Sequence, residues 1–266
     1  MVTAKDIRIA PINSATANVL VRRIHYSGKV VNNSQLHLGV FLDNRLEGAM
    51  QFGPSLDKRK IQGLVSGTKW NGFIELNRMA FSDNLPRNSE SRALGVAFRL
   101  IKKHYPHIEW IVSFADATQC GDGTIYRAAG FVLTGIKKNN QIWEAPDGNV
   151  FSRTSLTDGR SKQQQAQAIN ILSRTTVTKG KHILNSGAAS MKIFKSAGWR
   201  PKLGYQLRYI YFLNPEAKSR LTVPIIPFSK IDEIGAGMYK GRSKQATTGT
   251  TCEAAGQHRP ERSNRF

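Results

Sequence analysis

The chain has 266 residues, with 39 Lys and Arg against 18 Asp and Glu, a formal net charge of +21. That length suits one elaborated domain, and that charge implies a polyanionic partner, nucleic acid before anionic membrane. No long apolar run and no N-terminal signal pattern is present, so a membrane-spanning or secreted protein is not expected. The two cysteines, Cys120 and Cys252, are far apart and neither has a CxxC neighbour. Neither a structural disulfide nor a zinc site is expected, which suits a reducing cytoplasm.

In chain order, "SATANVLVRRIHYSG" reads as a helix capped by Asn13 or Ser14 and ending near Gly28. "QLHLGVFL" and "RLEGAMQF", joined by Asp43-Asn44, read as a β-hairpin, and "IELNRMAF" as a third strand. "NSESRALGVAFRLIKKHYP" is a helix capped by Asn88 or Ser89, with Ala93, Val96, Ala97, Leu100 and Ile101 as its apolar stripe and Pro106 as its stop. "EWIVSFA" is nearly continuously apolar, as a central or parallel strand should be. "DGTIYRAAGF" is a short helix closed by Gly130 and leads into the strand "FVLTGI". Gln163 to Leu172 can form another helix, and "GYQLRYIYFL" is a late strand. Strands alternating with helices imply an α/β sheet with crossovers.

The charge is uneven. Residues 1–160 hold 21 basic and 13 acidic side chains, whereas residues 161–220 hold 11 basic side chains and one acid, Glu216. Three regions are expected: a globular core over 1–160, a basic extension over 161–235 that completes the sheet and carries the main electrostatic surface for a polyanion, and a disordered basic tail over 236–266.

The succession of hairpin, "ELNRMAF" strand, capped helix, apolar strand and "IYRAAGF" helix over about residues 35–136 resembles the GNAT acyltransferase superfamily. The segments "IHYSGKVV", "MQFGPSLDKRK", "ELNRMAFSDNLPRNSESRAL", "SFADATQCGDGTIYRAAGFVLTG" and "YQLRYIYFL" are more specifically similar to the Mom family of phage and prophage DNA-modification proteins. This resemblance implies an α/β (α+β) fold, a GNAT-like mixed central sheet flanked by helices. It implies a transferase that places a carbamoylmethyl group on the exocyclic amine of adenine in double-stranded DNA and so protects phage DNA from host restriction. Acetyl-CoA or a related acyl donor, and iron, are the cofactors it brings into view. The partners are then duplex DNA and a small-molecule donor, with no membrane, in the host cytoplasm; a homodimer is left open. GNAT proteins hold the donor pyrophosphate on a glycine-rich loop before the main helix. Here "PRNSESR" occupies that place without a glycine, so Arg87, Ser89, Ser91 and Arg92 at the helix start are the candidate cofactor-binding residues.

Asp116 ends the apolar strand, where ligands gather in open α/β sheets. It can act on the target amine as base or hydrogen-bond acceptor, or simply cap the loop near Gly121 and Gly123. Tyr126 matches the helix tyrosine that protonates the leaving thiolate in the GNAT layout; the alternative is a core ring beside Phe131. His25 and Tyr26, with Tyr126, are the candidate iron ligands, against a purely structural pair. Arg78 is a further candidate: strand alternation puts Leu76, Arg78 and Ala80 on one face and Glu75, Asn77 and Met79 on the other, and Asp116 or an anionic substrate group is its expected partner. Glu75 is then a spare acid. Lys58, Arg59 and Lys60 suit DNA phosphates. So do Arg200, Lys202 and Arg208, interleaved with Trp199, Tyr205, Tyr209 and Tyr211, although some of those rings must fill core. The rival readings are a GNAT-type N-acetyltransferase of a small or protein amine and a non-catalytic DNA-binding protein.

Overall fold

The computed structural model describes residues 2–157, 162–175, 191–239 and 242–243. Strand β1 (Arg8–Pro11) leads into α1 (Ser14–Ile24), whose N-cap Asn13 accepts a hydrogen bond from the Thr16 amide at 2.8 Å. The hairpin β2 (Leu36–Leu42) and β3 (Arg45–Gly53) turns on Asp43 and Asn44, both at positive φ, as a two-residue hairpin loop requires. A short helix α2 (Lys58–Gln62), which the sequence pattern does not reveal, precedes β4 (Phe73–Phe81). Then follow α3 (Ser89–His104), β5 (Trp110–Asp116), α4 (Thr124–Ala128) and β6 (Val132–Asn139). The late strand β10 (Gly204–Phe212) inserts between β5 and β6, completing a seven-stranded mixed sheet in the order β1-β2-β3-β4-β5-β10-β6. Every pairing is antiparallel except β4 with β5.

Helices flank both faces. On one, Ala93, Leu94, Ala97, Phe98 and Ile101 of α3 pack on Leu38, Met50, Leu76, Ile111 and Leu207. The buried stripe thus runs through Leu94 and Phe98 rather than the expected Val96 and Leu100, which are only half-buried. On the other face, Ala17 and Leu20 of α1 cover Ala49, and Phe73 stacks on the fully buried Trp110 at 4.5 Å. Each such ring removed from water stabilises the fold by roughly 1.5–3 kcal/mol.

Between β6 and β10 the chain makes a second, smaller body. Strand β7 (Ile142–Glu144) pairs with β8 (Val150–Ser152) and with β9 (Arg200–Pro201). Helices α5 (Arg153–Thr157), α6 (Lys162–Thr175) and Met191–Ser196 pack against them around Trp143, Phe151, Phe194 and Trp199. This body draws on chain from both sides of residue 160. Trp199 is buried there, and Tyr205, Tyr209 and Tyr211 pack on the main core. The aromatic residues expected to grip nucleic acid are therefore structural. After β10, helix Ser229–Glu233 and the strand Met238–Tyr239 return to the core, with Ala236 buried. Of the expected tail, residues 236–239 and 242–243 are described; residues 240–241 and 244–266 lie outside the described residues.

Candidate functional site

Two local features open a cleft in the sheet. Strands β4 and β5 pair only through Phe73–Trp110, Ile74–Ile111 and Glu75–Val112, and beyond that they part. In β4 the register against β3 shifts, with Gln51 opposite Arg78 but Phe52 opposite Leu76, so Asn77 is the extra residue of a bulge. A bulge re-aims the side chains that follow it. Ile74, Leu76, Met79 and Phe81 then all face the α3 core, and Glu75 and Arg78 share the opposite face. The strict alternation expected from the sequence, which separated Glu75 from Arg78, fails at this point.

Asp116 sits half-buried at the end of β5. Its Oδ1 accepts from the Thr118 amide at 2.9 Å, and its Oδ2 accepts from Gln119 Nε2 at 3.0 Å and from the Tyr26 hydroxyl at 3.3 Å. Asp116 thus caps the loop and at the same time meets Tyr26. Asp116 and Tyr26 are ninety positions apart in sequence and meet because α1 ends at the mouth of the cleft. Half of Tyr26 is open to solvent, but its hydroxyl faces inward. Desolvation there, with Asp116 and Cys120 close by, pushes the phenol well above its ordinary range.

Arg78 does not pair with Asp116. Its Nε donates to the Lys29 carbonyl at 2.8 Å and a terminal nitrogen to the Asn77 carbonyl at 2.7 Å. Burial works against its charge, and Tyr26, Glu75 and Tyr126 around it support that charge. Burial raises the Glu75 carboxyl, with Ser55, Asn77 and Arg78 pulling the other way. Tyr126 packs between Phe131 and Tyr209, at 5.2 and 5.3 Å between ring centres. Burial raises its phenol to about 12, against the influence of the nearby Ser113 hydroxyl, so it stays a proton donor at neutral pH. Cys120 belongs to the same group, its thiol pushed up by burial and by Asp116. Cys120 and Gln119 were not singled out as site residues by sequence reasoning, and Glu75 was read only as a spare acid on the face opposite Arg78. For Cys120 and Gln119 the available signal was their place in the loop after Asp116; for Glu75 only the bulge reveals it.

His25 lies against Tyr26, ring centres 4.4 Å apart, and its Nδ1 accepts from the Ser27 amide at 3.2 Å. Burial and the nearby Arg78 lower it to about 4, so it is neutral at physiological pH. Among the described residues no three His, Cys, Asp or Glu side chains converge to hold a metal ion. The two phenols are pushed away from ionisation. The expected set of His25, Tyr26 and Tyr126 brings one imidazole and two phenols around Arg78.

The candidate donor site at the start of α3 is only partly accessible. Ser89 is buried and its hydroxyl donates to the Pro86 carbonyl at 2.6 Å, while Ser91 donates to the Asn88 carbonyl at 3.2 Å. Both hydroxyls serve the helix start; Arg87 and Arg92 are exposed.

The candidate DNA contacts divide. Gln206 of β10 lies between Asp116 and Lys137 in the sheet register, so the exposed Lys137 and Lys138 of β6 join the Asp116 end. Arg200 is exposed and Lys202 half-buried, just before Gly204, which packs against Thr118 of the Asp116 loop. Arg208 is folded onto the sheet instead, donating to Thr134 Oγ1 at 3.1 Å and to its carbonyl at 2.7 Å. Lys58, Arg59 and Lys60 sit at the other end, where Lys58 donates to Asn71 at 2.9 Å beside the start of β4. Roughly 20 Å of strand separates that end from Asp116.

With this geometry in view, comparison with known proteins places the chain. The model of the Mom protein family matches residues 6–230. The methylcarbamoylase mom of Escherichia phage Mu is 33% identical over 223 residues, covering 84% of this chain and 82% of that protein. The ribosomal-protein-S18-alanine N-acetyltransferase from Escherichia coli aligns over 54% of this chain and 88% of its own, at 12% identity and a TM-score of 0.35. An IAA acetyltransferase from Bacillus cereus aligns over 77% and 99%, at 11% identity and a TM-score of 0.39. No helix among the described residues is long and apolar enough to cross a membrane.

Proposed function

The chain belongs to the Mom protein family, and from that premise we propose that it is a transferase adding a carbamoylmethyl group to the exocyclic amine of adenine in double-stranded DNA. The observation that carries the reading is the Tyr26–Asp116 pair at the mouth of the cleft between β4 and β5, with Tyr126 and Arg78 within the same group. Adenine's amine is buried in a base pair and its lone pair is delocalised into the ring. An enzyme acting there must extrude the base, at a cost of about a few kcal/mol. Lys137, Lys138, Arg200 and Lys202 at this end supply phosphate contacts that offset the cost without reading sequence.

In this reading Asp116 accepts a hydrogen from the amine of the extruded base and Tyr26 fixes its carboxylate. Tyr126, protonated at neutral pH, donates to the leaving group. Arg78, anchored on two carbonyls, faces the developing negative charge from a fixed position. An acyl donor of the coenzyme A type would bind with its phosphates near the exposed Arg87 and Arg92. Transfer of a thioester acyl group alone would leave a carbonyl carbon on the adenine nitrogen, whereas a carbamoylmethyl group has a methylene there and a terminal amide. The donor set must therefore bring a second nitrogen and a further step. Protection from host restriction is the biological consequence of this activity.

The test is to express the chain in bacteria, digest the DNA to nucleosides and weigh them. A deoxyadenosine heavier by one carbamoylmethyl group supports the reading. Unmodified DNA with acetylation of a free amine would make the protein an N-acetyltransferase, and DNA binding without any new product would make it a binding protein.

A further inference from the structure

The end of the sheet remote from Asp116 carries a second concave site. A cavity of about 360 Å³ opens under the C-terminal end of α3, with Phe73 and Ile74 in its floor and Lys58, Asn71, Tyr105 and His107 around it. That size and that mixture of apolar floor with a few polar groups is the usual character of a small-ligand site. Three features specify what it would take. First, two aromatic side chains of the lining are exposed and arranged: Tyr105 is 41% exposed and meets His107 edge to face at 6.4 Å, while Trp70, outside the lining, is 51% exposed and lies against Lys58 of the lining. Second, the cation is preset, because Lys58 Nζ is held by Asn71 at 2.9 Å and sits 4.6 Å from the centre of the Trp70 ring. Third, an adjoining hollow shares His107 and adds Lys69 and Lys102. The last turn of α3 carries Lys102, Lys103 and His104, which offset a helix end that would otherwise repel an anion. Glu109, the acid of the adjoining hollow, is neutralised by Arg220 at 2.6 Å.

We infer that this cavity is a nucleotide site, in which an unpaired base lies against the Tyr105 and His107 rings and its phosphate meets Lys58 beside Trp70, with Lys102 of the adjoining hollow adding positive charge. A bare phosphate would make no use of the apolar floor, and a duplex keeps its base faces stacked inward and offers none to a pocket. Stacking on aromatic side chains with a cation for the backbone is how unpaired nucleotides are held without sequence preference. The occupant is a free nucleotide or an unpaired nucleotide of a nucleic acid strand, and it binds independently of the group around Asp116.

The four tryptophans make the test direct. Trp110, Trp143 and Trp199 are buried and Trp70 alone among them is exposed, so acrylamide quenching of the full-length protein reports on Trp70. Adenosine 5′-monophosphate, a short unpaired DNA strand and the same strand as a duplex are titrated in turn. Protection of Trp70 by the mononucleotide assigns a free nucleotide, and protection by the strand alone assigns a nucleic acid. In either case Tyr105→Ala and Lys58→Ala each weaken binding at least about fivefold, and Asp116→Asn leaves it unchanged. His107→Ala, at an exposed position, serves the same purpose should Tyr105→Ala melt early. Absence of protection by all probes, equal protection by the duplex, or undiminished binding in these variants would overturn the assignment.

Discussion

The two ends of the β4–β5 pair are built from neighbouring stretches of the same strands and do opposite things. At the start, backbone pairing is complete and Phe73 closes on Trp110 as stacked rings. Three residues on, pairing stops, the Asn77 bulge turns Glu75 and Arg78 to one face, and Asp116, Tyr26 and Tyr126 gather around the opening. The lesson is that one irregularity in one strand, together with the divergence of its neighbour, converts a closed sheet into a polar cleft. The closed end holds rings and lysines. The open end holds Asp116 together with two phenols and one carboxyl, Glu75, that burial pushes up.

The sharpest way to break this contrast is to remove one hydroxyl at the open end. Tyr126→Phe keeps the packing on Phe131 and Tyr209 and loses only the proton, so adenine modification should fall about 100-fold or more with little change in melting temperature. Equal activity in this variant would show that Tyr126 is there for packing. Next in size is Gly204→Ala. An added Cβ would lie 2.6 Å from Thr118 Cα, so the Asp116 loop must shift, and thermal unfolding should show a loss of about 1–3 kcal/mol with reduced modification. Smaller is the effect of Lys137→Ala or Lys138→Ala. Each should lower the slope of log affinity for duplex DNA against log salt by about 0.9, measured by titration at several salt concentrations, if it removes one phosphate contact.

The smallest effect concerns His25. Its folded pKa is lowered to about 4, so between that value and its ordinary range the unfolded chain binds more protons than the folded one. Stability from this residue is therefore present above about pH 6.5 and lost as pH falls toward 4. His25→Gln should flatten that part of a plot of melting temperature against pH, and an unchanged plot would mean the ring is more solvated than the fold suggests.

Much of the fold was legible because periodicity and turn chemistry are local. Asn13, the Asp43-Asn44 turn and the apolar run of β5 each specified its element from a few residues. What was hidden depends on distant chain. Nothing in "GYQLRYIYFL" says that it inserts between β5 and β6, and the three short strands β7, β8 and β9 carry too few residues to show a period. Of the candidate site, Asp116 could be read from the end of a strand, whereas Tyr126 was singled out through the resemblance to the GNAT layout and not by its spacing. Lys137 becomes a neighbour of Asp116 only through Gln206, and Glu75 joins Arg78 only through a bulge that leaves no composition signal. The basic and aromatic interleaving around β10 misled for a related reason. Spacing does not distinguish a ring that grips a ligand from one that fills the core, and Tyr209 fills the core.

The most direct measurement compares nucleosides from the DNA of cells expressing the wild type, Asp116→Asn and Lys58→Ala. Asparagine at 116 keeps an oxygen for the Thr118 amide but not the charge, so the loop survives while the reacting group is lost. The account predicts carbamoylmethylated adenine in the wild type and in Lys58→Ala and none above background in Asp116→Asn. Modification that persists in Asp116→Asn, or that disappears in a folded Lys58→Ala, would contradict it.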